Sequence, residues 1–280
     1  MMGTMDRPSP LPDEGFGRRR LKGGAFDHLV HEEPLGIELG DTRFITMRSP
    51  GQDTDLVLGF LVSEGIIPGR EAILGMDFRK GTPSTETQDQ QLSIDWIRVE
   101  LAQAPRERVS QGRTRIHEIR PSCGICGIQD LPKLFPQGSP LRPGQPKLSQ
   151  EVLLDTLQRF HKRQGLFKTT GGCHGAAVCS TEDGSVLGFG EDIGRHNALD
   201  KAIGQALSRE KDFAASFVIL SGRAGYELIC KALRVGCPIL VSISAASALS
   251  FDICRETGMT LVGFARNQSL KIYWDEDRLC

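Results

Sequence analysis

The chain has 280 residues, enough for one large domain or two ordinary ones, and its 39% apolar and 25% charged residues fit a soluble globular protein. A formal net charge of −1 supplies no global field for nucleic acid or an anionic membrane surface, and no apolar run nears the roughly 20 residues that span a bilayer. The eight cysteines are too sparse for a secreted disulfide scaffold and the N-terminus lacks the apolar core of a secretory signal, so a cytoplasmic location is expected.

Residues 1–28 read as a flexible tail, and 29–133 as an α+β unit. Leu35–Leu39 and Phe44–Met47 predict a hairpin with Gly40-Asp41 near its turn. Asp53–Ser63 predicts a helix capped by Asp53 or Thr54 and ended by Gly65. Residues 80–91 read as a long polar loop. Leu92, Ile94 and Trp96 alternate, then Ile97, Val99 and Leu101 alternate in the opposite phase, which predicts a strand with a bulge. Arg113–Ile119 is a weaker strand, and residues 134–150, rich in proline, read as a linker.

The pattern then changes. Ser149 caps a helix whose apolar face is Val152, Leu153, Leu157 and Phe160, ending at Gly165. Ala176–Cys179 and Val186–Phe189 predict a hairpin around Asp183-Gly184. Helix 196–208, strand 216–220, helix 225–235, strand 238–243, helix 247–257 and strand 259–264 follow in alternation. Residues 151–280 are therefore expected to form a layered α/β domain with a largely parallel sheet.

Ligands of open α/β sheets bind beyond the carboxyl ends of the strands. Those positions here hold Glu191-Asp192-Ile193-Gly194-Arg195-His196-Asn197, Ser221-Gly222-Arg223, Ser244–Ser247 and Ala265-Arg266-Asn267. A single loop arginine is more often a solvated charge. The recurrence of Arg195, Arg223 and Arg266, with helix N-termini nearby, favours an anionic, phosphate-bearing ligand. Thr169–Gly175 is another glycine-rich turn, but it lacks Gly-Lys-Ser/Thr and enters a strand, so as a phosphate loop it is weak.

Ser122-Cys123-Gly124-Ile125-Cys126-Gly127 is the other chemical signal. Structural zinc needs four ligands, and no second Cys-x-x-Cys or His pair accompanies this one, although His117 and His174 lie elsewhere. Thioredoxin-type pairs sit where a strand enters a helix, whereas Pro121, Pro132 and the glycines argue for a loop. An accessible thiol on a glycine loop suits a group that takes up sulfur at one site and delivers it at another. Arg120 and Lys133 would favour its thiolate. The other scattered cysteines, Cys173, Cys179, Cys230, Cys237 and Cys254, read as buried free thiols.

Taken in order, Glu32–Leu35, Leu58–Ile67, Ser122–Gly127, Thr170–His174, Glu191–Lys201, Ser221–Arg223 and Thr260–Arg266 resemble the FdhD family, the sulfur-carrier accessory proteins of formate dehydrogenase, over about residues 30–273. The resemblance implies a cytidine deaminase-like three-layer α/β/α domain beside a smaller N-terminal α+β domain, usually as a homodimer. It implies that sulfur arrives as a persulfide from a cysteine desulfurase, on Cys123 with Cys126 assisting. The sulfur then passes to the molybdenum cofactor carrying two molybdopterin guanine dinucleotides, a bound substrate destined for formate dehydrogenase. Phe264, Ala265, Arg266, Asn267, Gln268 and Ser269 correspond to the family's cofactor-binding segment. Arg195, His196, Ser221, Gly222 and Arg223 join them as partners for the guanine dinucleotide and its pyrophosphates. No resident cofactor, metal site, nucleic acid or membrane partner is expected. Competing readings are a chaperone that binds the cofactor without chemistry and a dithiol oxidoreductase. This chain departs from the family's usual Ser-Ala-Pro with Ser244-Ala245-Ala246, and Asn267-Gln268-Ser269-Leu270-Lys271 also differs. Deaminase chemistry is disfavoured, because His174 is followed by Gly175-Ala176 and no proline immediately precedes Cys123.

Overall fold

The computed structural model describes residues 15–81, 94–103, 116–118, 141–266 and 269–280. Cys123, Cys126, Asn267 and Gln268 lie outside the described residues.

Strands β1 (Phe16–Arg20) and β2 (Phe26–Val30) pair as an antiparallel ribbon. The tail expected over 1–28 is thus ordered structure from residue 15 onward. Both strands are largely exposed, so no buried face marks them in the hydropathy pattern.

A five-stranded sheet follows in the order β5-β6-β3-β4-β7. It comprises β3 (Glu33–Leu39), β4 (Thr42–Arg48), β5 (Ile73–Arg79), β6 (Asp95–Leu101) and β7 (Ile116–Glu118). The β3–β4 hairpin turns through Gly40-Asp41 as expected, with Gly40 at φ 59, a conformation glycine adopts without strain. The bulge expected in β6 lies instead on its partner, between Ile73 and Gly75 of β5. β6 begins only at Asp95 and keeps a single phase, with Ile97 and Val99 buried.

Helix α1 (Asp53–Ser63) has the expected bounds, and Gly65 follows it at φ 70. Its cap differs: Gln52 precedes the helix in a left-handed conformation, and no side chain caps it. Asp53 is engaged by buried Arg48, whose Nε and Nη2 donate to the two carboxylate oxygens at 3.0 Å each. A bidentate charged pair outcompetes a neutral cap.

The C-terminal unit contains α2 (Gln150–Arg163), α3 (Gly165–Thr170), β8 (His174–Ser180), β9 (Val186–Asp192), α4 (Arg195–Ser208) and β10 (Ser216–Leu220). It continues with α5 (Tyr226–Arg234), β11 (Ile239–Ser242), α6 (Ala248–Thr257), β12 (Thr260–Arg266) and β13 (Ser269–Trp274). Ser149 caps α2 as expected, accepting the Val152 N–H at 3.2 Å. The sheet order is β13-β12-β11-β10-β8-β9. Only β10/β11 and β11/β12 are parallel, so the largely parallel sheet is confined to the centre. Hairpins β8–β9 and β12–β13 flank it with antiparallel pairs. Leu199, Ile203, Leu228 and Ile253 from α4, α5 and α6 pack on one face, against Val178, Val218, Leu240 and Leu261. Leu153, Leu157 and Phe160 of α2 pack on the other, against Phe217, Ile219 and Val241. The result is three layers, α/β/α. The described end of the expected linker is fastened: Arg278 donates to the carbonyls of Arg142 and Gln145, each at 2.8 Å.

The two sheets are joined through α1 and α4. Leu56–Ser63 are all buried, which explains why this segment is apolar on every side: one face meets its sheet, the other meets α4. The helices cross at two glycines. A Cβ placed on Gly59 would overlap the Asp200 carbonyl oxygen, and one on Gly204 would overlap that of Asp55. Beside this crossing Lys231 Nζ lies 2.9 Å from Asp200 and 2.7 Å from Glu64, and donates to Ser63 Oγ at 2.9 Å. Burial pushes Lys231 down, but the two carboxylates outweigh it and hold the amine above its ordinary value.

Gly59→Ala or Gly204→Ala should lower the free energy of unfolding by at least ~2 kcal/mol, because backbone rather than a pliable side chain blocks the methyl group. Urea unfolding checks this, with Gly23→Ala, where a Cβ meets open space, as the neutral control. Lys231→Met should cost ~3–5 kcal/mol by stranding Asp200, and adding Asp200→Leu should recover most of the loss. Because Lys231 titrates higher folded than unfolded, its contribution is complete at neutral pH and disappears as pH rises beyond the ordinary 10.5. Wild type should therefore lose more stability on alkaline titration than the double variant.

Candidate functional site

Strand direction gathers the expected loops at one edge. β8 is antiparallel to both β9 and β10, so β9, β10, β11 and β12 end together where β8 and β13 begin. Helices α4, α5 and α6 also start there, after Gly194, Gly225 and Ser247. The loops are bonded to one another. Gly175 N–H donates to Ser221 Oγ at 2.9 Å, and Ala224 N–H to the Ala245 carbonyl at 3.0 Å. Ser242 Oγ donates to the Gly222 carbonyl at 2.7 Å, and Phe264 N–H to the Ser244 carbonyl at 3.0 Å.

Arg195 opens α4, Arg223 lies in the turn before α5, and Arg266 ends β12. Arg223 and Arg266 are exposed and Arg195 half-buried. Among the described residues none of the three guanidinium groups has a carboxylate or hydrogen-bond partner. Three unneutralised cations beside helix N-termini make an edge suited to a polyanion such as a pyrophosphate.

Two histidines stand among them. His196 Nε2 lies 2.5 Å from Glu227 Oε2 at the start of α5. His174, the first residue of β8, sits beside Gly222, where a Cβ would come within 3.3 Å of its Nδ1. Burial, then Arg195 and His196, push the His174 imidazole below its ordinary value. Sequence reading placed neither His174 nor Glu227 at this edge. The signal for His174 was the antiparallel hairpin, which puts the beginning of β8 beside the ends of its neighbours.

Of the segment 264–269, Phe264 takes φ 49 within a bulge and holds its ring exposed, with Lys271 Nζ 5.8 Å from the ring centroid. Ala265 turns its methyl group into the core, and Ser269 opens β13 opposite Arg266. Ser221 and Gly222 serve the edge through the bonds already described.

The motif Glu191–Lys201 divides between two tasks. Arg195 and His196 belong to the edge, while Asp192, Asn197, Asp200 and Lys201 face the N-terminal unit. Lys201 Nζ lies 2.8 Å from Asp192 and donates to the Ser49 carbonyl at 2.8 Å. Asn197 Nδ2 donates to the Met47 carbonyl at 2.7 Å, and Ser49 N–H to Asp192 at 3.0 Å. The end of β4 thus abuts the turn into α4. Since β7 runs parallel to β4, it is directed toward the same edge.

Cys173, Cys179, Cys230, Cys237 and Cys254 are buried and form no disulfide among the described residues, as expected. Burial pushes the Cys230 and Cys237 thiols up to about 11 and Cys254 to about 12. Cys173 is pushed up further, by burial and by Glu191. All four stay protonated near neutral pH. Among the described residues no three His, Cys, Asp or Glu side chains are grouped to hold a metal ion, and no helix is long and apolar enough to cross a membrane.

The sequence matches the model of the FdhD/NarQ family over residues 30–280. The sulfur carrier protein FdhD of Anaeromyxobacter dehalogenans strain 2CP-1 is 37% identical, over 99% of this chain and 98% of its own length. The sulfur carrier protein FdhD of Streptomyces coelicolor is also 37% identical, over 93% of each chain. The fold is similar to a crystal structure described as a formate dehydrogenase accessory protein from Desulfotalea psychrophila, with a TM-score of 0.66 at 20% identity, covering 95% of this chain and 97% of that one. With its family motifs at the joint between the sheets and at the arginine edge, and with full-length relatives at this identity, the chain belongs to the FdhD/NarQ family.

Proposed function

We propose that this protein is a sulfur carrier for formate dehydrogenase, working through the Cys123–Cys126 loop and the arginine edge. Its substrate is the molybdenum cofactor with two molybdopterin guanine dinucleotides. The guanine dinucleotide pyrophosphates are held by Arg195, Arg223 and Arg266, and Phe264 offers a ring to a base. The observation that carries this reading is the convergence of three unpaired arginines at the edge toward which β7 is directed. Cys123 follows the end of β7 by only five residues. The names of the relatives point the same way.

Loading begins when the Cys123 thiolate attacks the outer sulfur of a persulfide on a cysteine desulfurase. A new S–S bond forms on Cys123, the old one breaks, and the desulfurase cysteine leaves as a thiolate, with no net oxidation. On delivery the Cys126 thiolate attacks Cys123 Sγ. A Cys123–Cys126 disulfide replaces the persulfide bond, hydrosulfide is released to the bound cofactor, and a cellular dithiol later reopens the disulfide. The two loop thiols thereby supply the two electrons that bring the sulfur to the sulfide level. The same reading takes the protein as a cytoplasmic homodimer with a cytidine deaminase-like C-terminal domain.

In a deletion strain, Cys123→Ala with Cys126→Ala should abolish formate dehydrogenase activity, and full activity from the double variant would refute the reading. Mass spectrometry after incubation with desulfurase and cysteine should locate one added sulfur atom on the loop. A cofactor chaperone without chemistry would show none. Replacing Arg195, Arg223 or Arg266 singly by Ala should weaken binding of guanosine diphosphate about tenfold to a hundredfold by calorimetry, as expected for loss of one charged hydrogen bond.

A further inference from the structure

The first turns of α4 and α5 bring His196 and Glu227 together next to Arg195, on the edge that also carries Arg223 and Arg266. His196 Nε2 is held at 2.5 Å from Glu227 Oε2. The other ring nitrogen, Nδ1, has no partner among the described residues and is not sealed from water. Arg195 precedes His196 on the same turn; His174 at the start of β8 and Asp192 at the end of β9 lie on the histidine side of this corner, and Glu64, Tyr226, Cys230 and Arg234 on the Glu227 side. Glu227 thus holds a carboxylate in direct contact with the His196 imidazole where the first turns of α4 and α5 meet.

We propose that Glu227 is a positioning residue that makes His196 a proton-linked anchor for the anionic ligand. Glu227 fixes the ring through Nε2–H and acts as counter-ion, so that an arriving pyrophosphate draws a proton onto Nδ1 and receives a hydrogen bond from it. Binding at the arginine edge is then coupled to proton uptake, in the sense that falling pH tightens it. The inference rests on the phosphate-ligand reading above and adds to it a dependence that arginines alone cannot give, since they do not titrate in this range.

Calorimetry of guanosine diphosphate binding to wild type, in buffers of differing ionisation enthalpy, reads the proton directly and needs no variant. Net uptake is expected, with affinity falling as pH rises through the histidine range, by at most about tenfold per pH unit for one linked proton. His196→Gln should bind more weakly and without proton uptake. Glu227→Gln keeps an acceptor for Nε2–H but removes the charge; it should reduce uptake at neutral pH while retaining more affinity than Glu227→Ala. Binding without proton uptake by wild type, or an unchanged pH profile in Glu227→Gln, overturns this inference and leaves the phosphate-ligand reading intact. Absence of binding by wild type at every pH overturns both.

Discussion

Lys201, 1% exposed, binds Asp192 on β9 and the Ser49 carbonyl beyond β4 at the same time. Taking both charges out of water costs several kcal/mol per ion, and the site offsets that only because each group is multiply bonded. Ser49 N–H and the neighbouring Gly194 N–H satisfy the two oxygens of Asp192, and the Glu191 carbonyl gives Lys201 a further acceptor. This small ionic joint fixes the turn into α4 against the N-terminal sheet. Arg195 and His196 sit on the first turn of that helix, so their placement at the edge follows from it. Without the joint, the glycine crossing of α1 on α4 would set the distance between the two units but leave the register of the turn unfixed.

The layout of the edge carries a second lesson. Its loops are short and bonded to each other, so the three arginines are presented by a stiff frame rather than by mobile chain. The mixed sheet contributes to this. An all-parallel sheet would begin every strand at the far edge; reversing β8 returns His174 to the side where its neighbours end.

Much of this was legible in the chain. Apolar patterning located the β3–β4 hairpin, α1, α2, the β8–β9 hairpin and the alternating elements from α4 to β12, because each buries either one clear face, as α2 does, or most or all of its length, as α1, β10 and β11 do. Exposed or short elements were missed: the ribbon β1–β2, six-residue α3, and β13, whose Ile272 is 54% exposed. Asp53 was misread as a cap because sequence shows the acceptor but not the competing guanidinium of Arg48. The arginines of the edge were found by their recurrence after strands. The double duty of Glu191–Lys201 was not, since hydropathy cannot tell an acid that meets solvent from one that meets a buried lysine. Membership in the FdhD/NarQ family, by contrast, was readable from ordered motifs alone.

A protein that carries a sulfane sulfur, as proposed for this one, faces a hazard that other thiol proteins do not: it can transfer the atom to itself. Each internal cysteine is a rival acceptor, and the competition is decided by thiolate fraction and access. At thiol values near 11 or 12, Cys230, Cys237 and Cys254 have almost no thiolate at neutral pH, and none is open to solvent. Burial of these side chains is ordinary core packing, yet it also insulates the cargo. On that proposal the hydrophobic core acts as a chemical filter for the thiols it encloses, while Cys280, which is exposed, lies outside its protection.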